Sequence, residues 1–462
     1  MERWQNQEEA YQFAMQHQNV MLDMDMGCGK TRTAIDVVMS REDVHSVLVV
    51  CPKAVIPVWR GNIEKFYPGR GNIVVWDTIK GSVYDKAVSI QEFVGTRGLD
   101  HKTFVVVNYD IVWRNPVGDV LLKSGFDMVI LDESHRAKAA GSKVSKYLAM
   151  LGKRTKYKMC LSGTPMANSP LDVYGQYRFL DPTIFGTNHN QFLQQYAILG
   201  GPERRFVVGY KNQKDLNDKF RSIAYSCKMS DISDRLKLPE KLPPVIRYVE
   251  LPAQDKRMSK ALSREFVAEC QNGHIVVNNV LTKMLRLQQI AAGFCVTVDG
   301  PGGTQQEMEL NTSKREELTD ILTDISPSDS VVVFCVFQHD LDTVAKSAHK
   351  AGKNVFELSG RRNELEDWNV AGGVLAVQIQ AGAEGVDMTK ANYAVYYSLP
   401  KSLALYNQSM ARLYRPGQTR PVSFIHLIAR GTIDEAMYGA LERKKDIVES
   451  IKDGSFDLGF IK

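Results

Sequence analysis

At 462 residues, 44% hydrophobic and 24% charged, the chain is too long for one ordinary core and has a globular composition, so two or three domains are expected. A net charge of +5 excludes a strongly basic tail for nucleic acid, but leaves room for phosphate contacts spread through a cleft. The seven cysteines form no CxxC pair, no signal peptide opens the chain, and no apolar run nears the roughly 18 residues that span a bilayer. These features predict a soluble, intracellular, cytoplasmic protein with free thiols, no zinc site and no membrane contact.

The first part of the chain alternates short β-branched runs with helical stretches, the pattern of a parallel sheet built from βαβ units. Strands are expected at 20–24, 47–51, 104–107, 128–131 and 158–161. The first runs into Met26-Gly27-Cys28-Gly29-Lys30-Thr31, after which Ala34, Val37 and Val38 share a helical face. Strand, glycine-rich turn and helix is the setting of a phosphate-binding loop. Glycines let backbone N–H groups approach the phosphates, and the helix N-terminus favours an anion. Lys30 would reach the β and γ phosphates of ATP, and the Thr31 hydroxyl would hold Mg2+. Met24 stands where the general pattern has its first glycine, and a helix cap with an exposed lysine is the plainer alternative.

The strand at 128–131 runs into Asp132-Glu133-Ser134-His135, which places carboxylates at the strand end where α/β sheets bind ligands. Asp132 would hold the metal through water, and Glu133 would orient and deprotonate the attacking water. An acidic turn is the ordinary alternative, made less apt by the phosphate loop about a hundred residues upstream. Ser162-Gly163-Thr164-Pro165 again follows a strand and, coming third in this order, reads as a coupling element between the ATP site and a polymer track.

From 181 to 311 helical periodicity broken by Gly and Pro takes over, with Leu281, Met284, Leu285 and Gln288 at helical spacing. This part is expected to form helices projecting from the first lobe and a connection to the second. The proline-rich 237–244 should be extended, and 300–304 (GPGGT) an exposed loop. A second set of strands is expected at 331–337, 355–358, 374–379, 394–397 and 422–427. Gln408, Arg412 and Arg415 then fall at i, i+4 and i+7, on one helical face, where two guanidinium groups could meet a γ-phosphate held by the other lobe. A solvated basic face is the alternative. A mixed-charge helix is expected at 432–452.

In sum the sequence predicts an α/β protein of two RecA-like parallel-sheet lobes, a helicase core with a P-loop, and a helical protrusion between them. The expected boundaries are 1–180, 181–311 and 312–462.

These residues together resemble helicase superfamily two, and within it the SWI/SNF-like DNA translocase ATPases. Gln7, in QEEAYQFA, resembles the adenine-reading glutamine. The run 47–59 is similar to the first nucleic-acid-contacting motif, with Lys53 near the backbone track, and 107–110 (VNYD) to the next, with Tyr109. DESHRAKAAGSKVSK resembles the acidic box, and SGTPMANSPLDVY the third motif, with Asn168 in its usual place. VVVFCVF, AGAEGVDMTKANYAVYYSLP and QSMARLYRPGQTRPVSFIHLIARGTIDEAM resemble the fourth, fifth and sixth.

The resemblance implies that Gly27, Cys28 and Gly29 cradle the phosphates, that Gly385, Asp387 and Gln408 join the nucleotide contacts, and that Arg412 and Arg415 are arginine fingers. It implies that Lys53, Tyr109, His135, Ser162, Gly163, Thr164 and Gly382 serve polymer contact or coupling. Asp387 stands where the family usually has asparagine, and Ser134 where Ala or Gly is usual. With no histone reader, zinc ring or nuclease motif in view, a compact bacterial or phage type of motor is expected.

The implied activity is DNA-dependent ATP hydrolysis driving translocation, with ATP and Mg2+ as cofactors and duplex DNA as partner. Single-stranded DNA is the alternative track, a protein partner for targeting is a further candidate, and a monomer is favoured. A strand-separating or annealing helicase acting on forks, single strands or RNA is the second reading, and an inactive nucleic-acid clamp the third.

Overall fold

Runs such as Ser46–Cys51 (SVLVVC) and Ser330–Cys335 (SVVVFC) are apolar on both faces, so a sheet built from them must be covered from two sides. The computed structural model meets this demand twice. It describes residues 2–68, 73–77, 81–96, 101–166, 169–200, 206–232, 238–271, 277–298, 305–382 and 386–443. The chain divides into two compact units, Met1–Leu236 and Lys237–Lys462.

In the first unit the strands are β1 (Asn19–Met24), β2 (Ser46–Cys51), β3 (Ile73–Asp77), β4 (Lys102–Asn108), β5 (Met128–Asp132) and β6 (Tyr157–Ser162). A hairpin of β7 (Ala197–Gly200) and β8 (Phe206–Tyr210) follows, and then β9 (Ala224–Cys227). The sheet runs β3-β4-β2-β5-β6-β1-β9 with every pair parallel. Because side chains alternate along a strand, Leu48, Val50, Val105, Val107, Val129 and Leu131 enter one core, while Val47, Val49, Phe104, Val106, Met128 and Ile130 enter the other. The second core is closed by the helices Gln5–Gln16, Lys30–Ser40 and Ile56–Phe66.

The second unit contains β10 (Val245–Val249), a hairpin of β11 (Phe294–Val298) and β12 (Gln305–Glu309), then β13 (Ser330–Cys335), β14 (Val355–Leu358), β15 (Val374–Gln378), β16 (Ala391–Tyr396) and β17 (Ser423–Ala429). Its sheet runs β10-β17-β16-β13-β15-β14, again all parallel. Val332, Phe334, Leu375, Val377 and Tyr396 pack on one face, and Val331, Val333, Val374, Ala376 and Val395 on the other. Both units are RecA-like α/β lobes, the fold class expected from the sequence.

All ten predicted strands are present within three residues of their expected bounds. The structure adds β3, β9 and β10. The last two correct the helical reading of the middle segment, which supplies an edge strand to each sheet as well as two hairpins. Their length explains the miss, since AYSC and VIRYV are four or five residues long and lie between longer helical patterns. Helices Ala253–Gln271 and Val277–Ala292 lie where helical spacing placed them. Of the expected terminal helix, Ile433–Glu442 is observed, while residues beyond 443 and the loop 300–304 lie outside the described residues. Among the described residues no helix is long and apolar enough to cross a membrane.

Candidate active site

In a parallel sheet all strand C-termini share one edge, and the edge of the first sheet gathers three of the predicted motifs. β6 lies between β1 and β5, so the turns after Met24, Ser162 and Asp132 stand side by side. The loop after β1 passes through Gly27 at φ 86° and Gly29 at φ 89°, left-handed values that glycine adopts without strain. Gly29 is also hemmed in by Gln7, since a Cβ there would lie 2.1 Å from Gln7 Nε2. Asn6 Nδ2 donates to Cys28 O at 2.9 Å, so the helix Gln5–Gln16 holds the loop from one side. The loop hands over to the helix Lys30–Ser40, with Lys30 and Thr31 in its first turn. The Lys30 ammonium is buried and donates to the carbonyls of Met24 (2.6 Å) and Asp25 (3.2 Å).

At the end of β5, Asp132 is held from three directions. Its Oδ2 accepts from Trp59 Nε1 at 2.8 Å, its Oδ1 from the Glu133 N–H at 3.0 Å, and its carbonyl from the Tyr109 hydroxyl at 2.8 Å. Burial and the adjacent Glu133 carboxylate push the Asp132 carboxyl upward, while Trp59 and Lys30 work against them. Glu133 adopts φ 51°, a left-handed value uncommon outside glycine, which turns its side chain off the strand direction.

His135 Nδ1 lies 3.4 Å from Glu133 Oε2 and 3.3 Å from Ser162 Oγ, and the Thr164 N–H donates to that same Oγ at 3.1 Å. Burial lowers the His135 pKa, opposed by Glu133. Gly163 meets the phosphate loop directly, for a Cβ there would sit 3.2 Å from Met24 O. The acidic box and the SGTP turn are therefore joined to each other and to the loop.

The predicted residues of the second unit are more dispersed. Gln408 and Arg412 are buried on the helix Leu403–Leu413. Arg415 does not share that helix, because the residue before a proline disfavours helical backbone and the helix has ended by Tyr414. This corrects the expectation of one helical face for all three residues. Arg415 Nε is buried with no hydrogen-bond partner among the described residues. Gly382 packs so tightly that a Cβ would lie 2.2 Å from Val377 Cγ1. Asp387 is exposed, and its Oδ1 accepts from the Thr389 N–H (2.9 Å) and hydroxyl (2.7 Å), a local turn that gives the unusual acid a structural role. Gly385 and Asn168 lie outside the described residues.

Two family models match the chain, one after the other. A model of the SNF2-related domain matches residues 3–293, and one of the helicase conserved C-terminal domain matches 313–417. The chain belongs to the SNF2-related family. That family is a class of ATP hydrolases within helicase superfamily two. The chain is 27% identical to "putative protein p41" of Acyrthosiphon pisum secondary endosymbiont phage 1, over 91% of this chain and 92% of that protein. It is 25% identical to a Caenorhabditis elegans homologue of "SWI/SNF-related matrix-associated actin-dependent regulator of chromatin subfamily A-like protein 1", over 96% of this chain and 61% of the other. To the human "DNA repair and recombination protein RAD54-like" it is also 25% identical, over 96% and 64%. The chain thus spans less than two thirds of the length of the worm and human relatives. Among solved structures, the Sulfolobus solfataricus SWI2/SNF2 ATPase core in complex with double-stranded DNA is similar at a TM-score of 0.45 and 20% identity, covering 98% of this chain and 94% of that one.

Within the SNF2-related domain, several connecting residues escaped the sequence reading. Gln176 is fully buried, accepts from the Ser134 hydroxyl at 2.6 Å and donates to Pro165 O at 2.7 Å, bridging the acidic box to the SGTP turn. The departure at Ser134 thus has a partner of its own. Trp59 lay inside a quoted motif, but nothing in its spacing pointed to Asp132, and Gln176 sits in a helix with no polar pattern to mark it. Tyr109 is turned inward to Asp132 rather than outward to a polymer, whereas Lys53 is exposed just beyond β2.

Proposed function

We propose that the chain is a DNA-stimulated ATPase that translocates along duplex DNA without having to separate its strands. The observation that carries this reading is the convergence of Lys30, Thr31, Asp132 and Glu133 on one edge of a parallel sheet, within an SNF2-related domain.

The donor set fits Mg·ATP. Gly27 and Gly29 give the loop its left-handed turns, the Lys30 ammonium donates to the carbonyls of Met24 and Asp25, and the Asp132 carboxyl stands across β6. In this reading Lys30 exchanges its carbonyl partners for the β and γ phosphates, Gln7 meets the adenine, and Thr31 and Asp132 hold Mg2+. The metal, when bound, neutralises phosphate charge. Glu133 accepts a proton from the attacking water, and His135 and Ser162 relay its position to the SGTP turn. The family resemblance makes Arg412 and Arg415 the arginine fingers, and Arg415 Nε, without a hydrogen-bond partner among the described residues, suits a guanidinium intended for an anion.

DNA as the track is supported by family membership and by the recombination and chromatin names of the relatives. A triplex-displacement assay tests translocation. ATP-dependent release of the third strand is expected, and its absence would count against movement on duplex DNA. The helicase reading draws some support from the β7–β8 hairpin, which exposes Ile198 and Val207 as a wedge would. Unwinding of forked duplexes without triplex displacement would favour it.

A further inference from the structure

Behind the phosphate loop lies a buried charge cluster that none of the motifs includes. Asp36 sits on the helix Lys30–Ser40, six residues and so about 9 Å beyond Lys30, and is fully buried. Its Oδ2 accepts from Arg3 Nε at 2.7 Å. Its Oδ1 accepts from Arg32 Nε at 2.9 Å and from the Tyr67 hydroxyl at 2.8 Å. Arg3 also donates through Nη1 to Glu8 at 2.7 Å, and its guanidinium lies 3.7 Å over the Tyr11 ring. A carboxylate removed from water is costly unless its oxygens are filled, and removing one partner of such a cluster leaves the others buried and unmatched.

The cluster holds one element in particular. Arg3 enters just before the helix Gln5–Gln16, and Glu8 and Tyr11 lie on it. The same helix places Asn6 on the Cys28 carbonyl and Gln7 against Gly29. Asp36 therefore ties, from behind, the helix that carries Gln7 to the helix that begins at Lys30. With Asn6 and Gln7 fixing the front of this pair and Arg3–Asp36 the rear, a shift at one end must tilt the other.

We propose that Asp36 is a positioning residue for base recognition: through Arg3 it fixes how Gln7 faces the nucleotide, and so sets the selectivity for ATP over GTP without touching either. The proposal rests on the ATP-site reading given above, with Gln7 as the residue that meets the base. A purely structural role for Asp36 makes a different prediction, because it would lower the melting temperature and leave the discrimination of the folded protein unchanged.

The test is competition of ATP and GTP against a fluorescent ATP analogue bound to the full chain. Wild type is compared with Asp36→Asn, Gln7→Ala and the double variant. Asp36→Asn is expected to reduce the ATP/GTP affinity ratio about tenfold, the weight of one charge-assisted hydrogen bond. In the Gln7→Ala background the same change is expected to leave the ratio as it is, since both act through one contact. If Asp36→Asn does not fold, Tyr67→Phe removes one partner of the cluster and should move the ratio in the same direction by a smaller factor. A folded Asp36→Asn, or in its place Tyr67→Phe, with unaltered discrimination would overturn the proposal alone, as would an equal loss with Gln7 absent. Wild type that binds neither nucleotide, or both alike, would remove the ATP-site reading and the proposal with it.

Discussion

Asp132 illustrates how much of the site is decided by single hydrogen bonds. The Trp59 indole fixes one carboxylate oxygen, so that the group keeps one orientation without a ligand to hold it. Replacing Trp59 by Phe keeps most of the packing and removes that donor. The Mg2+ concentration needed for half-maximal binding of a fluorescent ATP analogue is then expected to rise about tenfold, as for other residues that support a metal ligand. An unchanged requirement would mean that Trp59 only fills space. Residues of this kind were not legible in the sequence. Lys30, Asp132 and Glu133 announce themselves because strand, turn and acid follow one another directly, whereas Trp59, Gln176 and Asp36 meet their partners only when separate strands and helices fold together. The two departures from the family pattern became intelligible only with neighbours in view, Ser134 through Gln176 and Asp387 through Thr389.

Between elements, the sheet edge matters more than any single motif. The SGTP turn touches the phosphate loop through Gly163 and the acidic box through Ser162 and Gln176, so a change at one strand end is felt at its neighbours. Gln176→Ala should leave the Ser134 hydroxyl and the Pro165 carbonyl without this partner and cost about 1–3 kcal/mol of stability. Its larger effect should be on coupling: phosphate release without polymer nearly unchanged, but stimulation by duplex DNA reduced several-fold. Thermal melting and the ratio of the two rates check this, and full stimulation in a destabilised variant would contradict it. Runs such as SVLVVC and SVVVFC were readable from pattern alone because they are apolar on both faces. β9 and β10 were not, being short edge strands fixed by pairing to β1 and β17 rather than by their own propensity. Arg415 shows the opposite case, where a local rule about the residue before proline was in the sequence and overrides the apparent i+7 spacing.

At the scale of the whole molecule, acid should weaken the second unit through one buried imidazole. His426 in the second is buried between Tyr396 and Tyr406, its Nε2 2.8 Å from the Tyr406 hydroxyl, and burial lowers its pKa to about 4. The unfolded chain binds a proton at this residue near pH 6.5. Stability is therefore fully present above that value and is lost as pH falls toward 4, by at most about 3 kcal/mol. Calorimetry between pH 7 and 5 should show a transition of the second unit that moves down with acid, and His426→Gln should flatten that slope; an equal slope in both would refute the assignment. The two-lobe organisation was legible because each lobe repeats strand and helix in register with its own core, and the family order of motifs made the first lobe's site legible as well. The central claim is that polymer drives ATP hydrolysis at Lys30, Asp132 and Glu133. Its most direct test is phosphate release with no polymer, duplex DNA, single-stranded DNA and RNA, for wild type and Glu133→Gln. Turnover stimulated most by duplex DNA, and reduced at least about a hundredfold in Glu133→Gln, is the predicted result. Turnover indifferent to every polymer, or surviving intact in the variant, would contradict the account.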